Sequence, residues 1–272
     1  METISSLYQQ QIDYNSNKSP YIKDFRKNPY SFLKARYYML NASLVVYFLQ
    51  NTSIHANNLT KAYICLGFFS AFLLAIPIDS LNYIALFLIF SKGILDWADG
   101  HFARIKNQTS LTGHILDVYG ARVHSLTFFI GLGFYEFFYL ENILFLALLF
   151  VYPFFYGTLL TKFSNQYILD EISSDLVAKE NINQESALTP KERYKEIYSF
   201  FVSFLDDRSR TIDFVLLLIL IELLGGPALS WIFFIGLCIK WTILWAGSFI
   251  FSSQHLSADK ILASKLKNKA NE

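Results

Sequence analysis

Long apolar stretches separated by short polar or basic segments dominate the chain beyond residue 55. Six of them, near 60–78, 81–98, 115–135, 143–162, 212–225 and 228–250, approach the roughly 20 residues a helix needs to cross about 30 Å of hydrocarbon. The pattern predicts an all-α membrane protein of six transmembrane helices. Segment 37–50 is apolar but short and lies among Lys34, Arg36 and Lys61, which suits an N-terminal helix lying in the membrane interface. The polar insertion 164–210 contains Thr189, Pro190 and Glu192, a cap, a proline at the first helical position and an acid at the third. A cytoplasmic helix is expected to start there, its apolar face made by Tyr194, Ile197, Phe201 and Phe204. This gives a tail and interfacial helix over 1–56, a membrane domain over 57–251 and a basic tail over 252–272.

Charge placement orients the spans. The segments before span one, after spans two and four, and at the C-terminus hold the basic residues, whereas 77–82, 136–142 and 224–230 contain no Lys or Arg. Basic loops stay in the cytoplasm, so both termini are expected there. The first twenty residues have no apolar core of a secretory signal.

Composition narrows the function classes. With 53% hydrophobic and 17% charged residues and a net charge of +1, the chain has neither the makeup of a disordered protein nor the basic surplus of a nucleic-acid binder. Cys65 and Cys238 both lie in apolar runs, too few for a disulfide framework or a four-ligand zinc site.

The chemistry concentrates where span two meets span three. Asp96 and Asp99 share a helix face at the end of an apolar segment, and Gly113, Asp117 and Ala121 recur four apart on the next helix. Carboxylates beside hydrocarbon are costly unless paired, hydrated or bound to a cation. Three of them invite a hard divalent ion such as Mg²⁺ with oxygen ligands; the plainer reading is helix-end charges in water.

These residues resemble the CDP-alcohol phosphatidyltransferases, whose signature is D-x2-D-G-x2-A-R-x8-G-x3-D-x3-D. The chain supplies Asp96, Asp99, Gly100, Ala103, Arg104, Gly113 and Asp117 at every spacing, with Ala121 in place of the last aspartate. Asn57, Leu59 and Thr60 resemble the N-x-L-T sequence that opens span one. The resemblance implies transfer of a phosphatidyl or phosphoalcohol group from a CDP-linked donor, expected to be CDP-diacylglycerol, to an acceptor alcohol with release of CMP. It implies one or two Mg²⁺ or Mn²⁺ ions on Asp96, Asp99 and Asp117, a nucleotide pocket of Gly100, Ala103, Arg104 and Gly113, an active site on the cytoplasmic side, and a homodimer among membrane lipids.

Alanine at 121 removes the side chain that the family uses as general base. Three readings compete: His124, on the same helical stripe, substitutes as base; metal and phosphate positioning suffice, leaving a slower enzyme; or the protein binds nucleotide or lipid without turnover. For His124 the plain reading is a polar residue hydrogen-bonded within the bundle. His101 and His114 read as loop or interface residues, and Tyr119 lies off the Asp117 stripe. Arg122, Arg208 and Arg210 are candidates for an anionic acceptor pocket, against simple interfacial anchoring. Glu222 and Lys240 lie inside apolar spans and are expected to face the protein interior or a dimer contact. A polytopic prenyltransferase would also present aspartates to Mg²⁺ and a diphosphate, but its second acidic motif is missing.

Overall fold

The computed structural model describes residues 2–18, 22, 24–26, 28–158 and 209–255. Every described element is helical: α1 Ile4–Lys18, α2 Pro29–Leu49, α3 Ala56–Ala75, α4 Asp79–Ile105, α5 Leu111–Leu140, α6 Ile143–Thr158, α7 Ser209–Leu223 and α8 Ser230–His255. The expected insertion helix at 189–204, Arg208 and the end of the basic tail lie outside the described residues.

Four helices are long and apolar enough to cross a membrane: α3, α4, α5 and residues Ser230–Gly247 of α8. The expected spans at 143–162 and 212–225 correspond to the shorter helices α6 and α7, so six full-length spans are not seen among the described residues. Polar ends were hidden in the apolar pattern. Helix α4 continues past its apolar body through the whole charged motif to Ile105, and α5 starts at Leu111, before the expected apolar boundary.

The chain divides into two compact units, Met1–Glu141 with Leu216–Pro227, and Asn142–Val215 with Ala228–Glu272. In the first, α3 packs along both α4 and α5, and α2 lies on α4. The helix at 29–49 is longer than the apolar segment that announced it. Its start is fixed by Pro29 at the first position and by Asn28, whose side chain accepts from Ser31 N at 3.0 Å. Close approach depends on glycine at two places. A Cβ on Gly120 of α5 would overlap the Tyr63 ring of α3, and one on Gly131 would come within 2.8 Å of the Ala71 carbonyl oxygen. The α4–α5 connection is short and tied down: Asn107 takes a left-handed turn (φ 53°), Gln108 N donates to the Ala103 carbonyl at 2.8 Å, and the Gln108 Oε1 accepts from Ala56 N at 2.9 Å. That bond brings the start of α3 beside the turn that joins the two motif helices.

In the second unit the aromatic side chains of α6 and α8 interlock. Tyr152 and Tyr156 stack at 5.4 Å, and Trp241 meets Tyr156 edge-on at 4.8 Å, geometries that suit ring quadrupoles. Cys238 is buried here, while Cys65 of α3 is exposed; both stay single thiols as their isolation suggested.

Candidate functional site

The site grows from the motif ends of three helices. Helix α4 carries Asp96, Asp99, Gly100, Ala103 and Arg104 on its last turns, α5 carries Gly113 and Asp117 on its first, and α3 lies against both. Ser110 fixes where α5 begins, its Oγ accepting from Gly113 N at 3.0 Å. A side chain on Gly113 would press on Asn57 Oδ1 at 3.2 Å, so the bare glycine lets α5 close on the Asn57–Thr60 turn.

Helix α3 supplies the partners that hold the acids. Thr60 Oγ1 donates to Asp99 Oδ2 at 2.5 Å. Tyr63, fully buried, donates its hydroxyl to the Asp117 carbonyl at 2.7 Å and approaches Asp117 Oδ1 at 3.2 Å. Asp96 and Asp117 come within hydrogen-bonding reach of each other across the α4–α5 gap, and all three carboxylates act electrostatically on the Tyr63 hydroxyl. Lys92, one turn before Asp96, offsets part of that charge, its Nζ standing 5.7 Å over the Tyr63 ring.

Like charges brought together in an apolar body repel unless a proton or a cation comes between them. The donor set, three carboxylates, suits a hard divalent cation. Among the described residues no three carboxylate, imidazole or thiol groups converge as a ready-made metal centre. Asp96 instead meets Asp117, and donors from α3 hold Asp99 and Asp117.

Residues 53–179 match the family model for CDP-alcohol phosphatidyltransferase. Over that stretch, a little under half of the chain, the sequence is similar to this family. The match begins just before α3, includes every motif residue and ends within residues outside the described ones. No curated protein sequence matches the chain. The family that this stretch matches is one of CDP-alcohol phosphatidyltransferases.

The remaining expected residues separate. Ala121 is exposed, whereas His124 is buried at 2% exposure against Gly67 of α3, where a Cβ would stand 3.0 Å from its Cδ2. Shared periodicity thus did not place them on one surface. His124 Nδ1 has no hydrogen-bond partner, which departs from the plain reading of a satisfied bundle histidine. His101 is buried and His114 exposed; Tyr119 is exposed. Arg122 is exposed on α5; Arg208 and the side chain of Arg210 lie outside the described residues, which therefore do not bear on the acceptor cluster. Glu222 does face the interior, at 2% exposure, accepting from Tyr135 at 3.4 Å. Lys240 lies over the Trp241 ring at 5.6 Å.

Sequence reading missed Tyr63, Lys92 and Gly120. Tyr63 stands one turn beyond Thr60 on α3, so the stripe Thr60–Tyr63–Gly67 was available as a signal. Lys92 carried a plainer one, as a cation within an apolar span and one turn from Asp96.

Proposed function

We propose that the protein transfers a phosphatidyl group from CDP-diacylglycerol to an acceptor alcohol and releases CMP, with one or two Mg²⁺ ions held by Asp96, Asp99 and Asp117. The observation that carries this reading is the approach of Asp96 on α4 to Asp117 on α5 beside Tyr63, with Asp99 and Arg104 further along α4. The acceptor hydroxyl oxygen forms a bond to the phosphorus, the bond from that phosphorus to the CMP oxygen breaks, and the hydroxyl proton leaves. Bound metal would neutralise diphosphate charge and polarise the phosphorus. Arg104 contributes in-plane N–H donors to the phosphates. Thr60 and Tyr63 fix the rotamers of Asp99 and Asp117. Gly100 leaves room for Arg104 to lie flat along α4, Gly113 lets α5 close on α3, and Ala103 keeps the surface toward the nucleotide small.

No side-chain base stands at Ala121, and the burial of His124 against Gly67 favours proton loss without it. Phosphoryl transfer depends chiefly on positioning and charge, so the expected enzyme is slow but competent. The loops after α4 and beyond α6 are basic, which supports a cytoplasmic site with both termini on that side, and a homodimer fits the family. A protein that binds nucleotide without turnover is the second reading; Ala121 favours it.

The test is Mg²⁺-dependent CMP release by the full chain in liposomes with CDP-diacylglycerol and a pooled set of alcohols, Asp96→Asn serving as blank. Release above the blank supports the transferase. CDP binding without release supports the binding protein. His124→Ala with full activity supports proton loss without it; loss of turnover with CDP binding intact would restore it as the base. Ala121→Asp stands at an exposed position and should raise turnover by about a hundredfold, the lower end of general-base contributions.

A further inference from the structure

Helix α1 lies outside the family match yet reaches the motif. Its anchor is apolar and polar at once. Leu7, with no exposed surface, joins Ala42, Val46, Ala98 and Phe102 in one buried cluster. Gln11, also fully buried, directs its Nε2 toward the Met39 carbonyl and Ser43 Oγ, both at 3.4 Å. These contacts seat α1 on α2 and on the last turns of α4.

Tyr14, three residues past Gln11, is 38% exposed and contributes little to that anchor. Its ring instead covers Arg104, whose guanidinium carbon stands 3.8 Å from the ring centroid. On its own helix, the same guanidinium lies back across Gly100, where an added Cβ would sit 3.4 Å from Nη1. Arg104 is thus laid along α4 over a bare glycine and covered by an aromatic face. Stacking occupies the face of the guanidinium and the Tyr14 hydroxyl takes one hydrogen bond from it, while the remaining in-plane N–H donors stay available.

We propose that Tyr14 is a positioning residue for the CDP donor: it holds the Arg104 guanidinium flat along Gly100 so that the N–H edge is presented to the diphosphate before it arrives. This rests on the donor reading given above. A preset arginine loses less freedom on binding than a free one, so the benefit falls on affinity. The chemical step gains nothing from it.

The test uses the full chain in nanodiscs: CDP binding by calorimetry, CMP-release kinetics and the thermal midpoint for the wild type, Tyr14→Phe, Tyr14→Ala, Arg104→Ala and the Tyr14→Ala/Arg104→Ala pair. Tyr14→Ala should raise the Kd for CDP and the KM for the donor about tenfold, the order of a partly desolvated cation–π contact. Its kcat and thermal midpoint should stay near the wild type, and Tyr14→Phe, which keeps the ring face, should restore affinity. In the Arg104→Ala background the Tyr14→Ala effect should vanish, because coupled residues do not add. Unchanged CDP affinity in Tyr14→Ala overturns the proposal, as does an undiminished effect without Arg104, or a loss in Tyr14→Phe equal to that in Tyr14→Ala. A wild type that fails to bind CDP sinks the donor reading itself, and this inference with it.

Discussion

Both ends of the α3–α5 pair bury acids, and they treat them differently. At the far end, Glu222 meets the Tyr135 hydroxyl at 3.4 Å, with Tyr139 stacked on Tyr135 at 5.5 Å and its hydroxyl 3.5 Å from the Glu222 carbonyl, and a second buried acid, Glu136, also acts on Tyr135. At the motif end, Asp96 meets Asp117, and the neighbouring donors Thr60 and Tyr63 fix the acids without cancelling their charge. Buried acid facing phenol is a structural solution, since the polar group is satisfied within the protein. Acid facing acid on the half-buried Asp96 and Asp117 is not satisfied in that way, and a proton or a cation has to come between them.

The sharpest way to break this contrast is to neutralise one acid at the motif end. Asp96→Asn should lower Mg²⁺-dependent CMP release by about a thousandfold, the order lost when a preorganised charge contact to a transition state is removed. It should also hold or raise the thermal midpoint without metal, because one like-charge contact is relieved. A variant that melts earlier and turns over normally would make Asp96 a structural charge, and the two ends would then be alike.

Glycine substitutions come next. Gly120→Val forces the Tyr63 ring away and Gly131→Val strikes the Ala71 backbone, so each should cost about 1–3 kcal/mol of stability by overpacking. Only Gly120→Val should also reduce turnover per folded molecule, because Tyr63 carries the Asp117 contact. Thermal melts paired with CMP release on the folded fraction separate the two. Equal loss of turnover from both would show that the helix contact as a whole, and not Tyr63, sets the site.

The site was more legible than the fold. Asp96, Asp99, Gly100, Ala103, Arg104, Gly113 and Asp117 sit at fixed spacings on two helices, and helical periodicity alone puts Asp96 and Asp99 on one face of α4 and Asp117 on the Gly113 stripe of α5. The partner helix was hidden because a tyrosine in an apolar run reads as core, and nothing local marks the Gly120 notch it enters. Span lengths were blurred for a related reason: hydropathy marks where a helix meets hydrocarbon and is silent on how far it continues, so α4 ran through its charged end unannounced. His124 shows the limit of periodicity. Three residues separate it from Ala121, but packing against Gly67 turns one inward while the other stays exposed.

The finest probe of the contrast removes a single hydroxyl from each end. Tyr63→Phe deletes the donor to the Asp117 carbonyl at 2.7 Å, and Tyr135→Phe deletes the longer contact to Glu222 at 3.4 Å. A net hydrogen bond contributes about 1 kcal/mol, so Tyr63→Phe should cut turnover by about fivefold while Asp117 loses its fixed rotamer. Tyr135→Phe should lower the thermal midpoint slightly and leave turnover unchanged, because its acid has no reacting group to orient. Measuring both in one preparation asks whether a phenol beside an acid serves catalysis at one end and folding at the other. A fall in turnover of similar size from Tyr135→Phe would tie the far end to the chemistry, and the contrast between the two ends would collapse into a single coupled body.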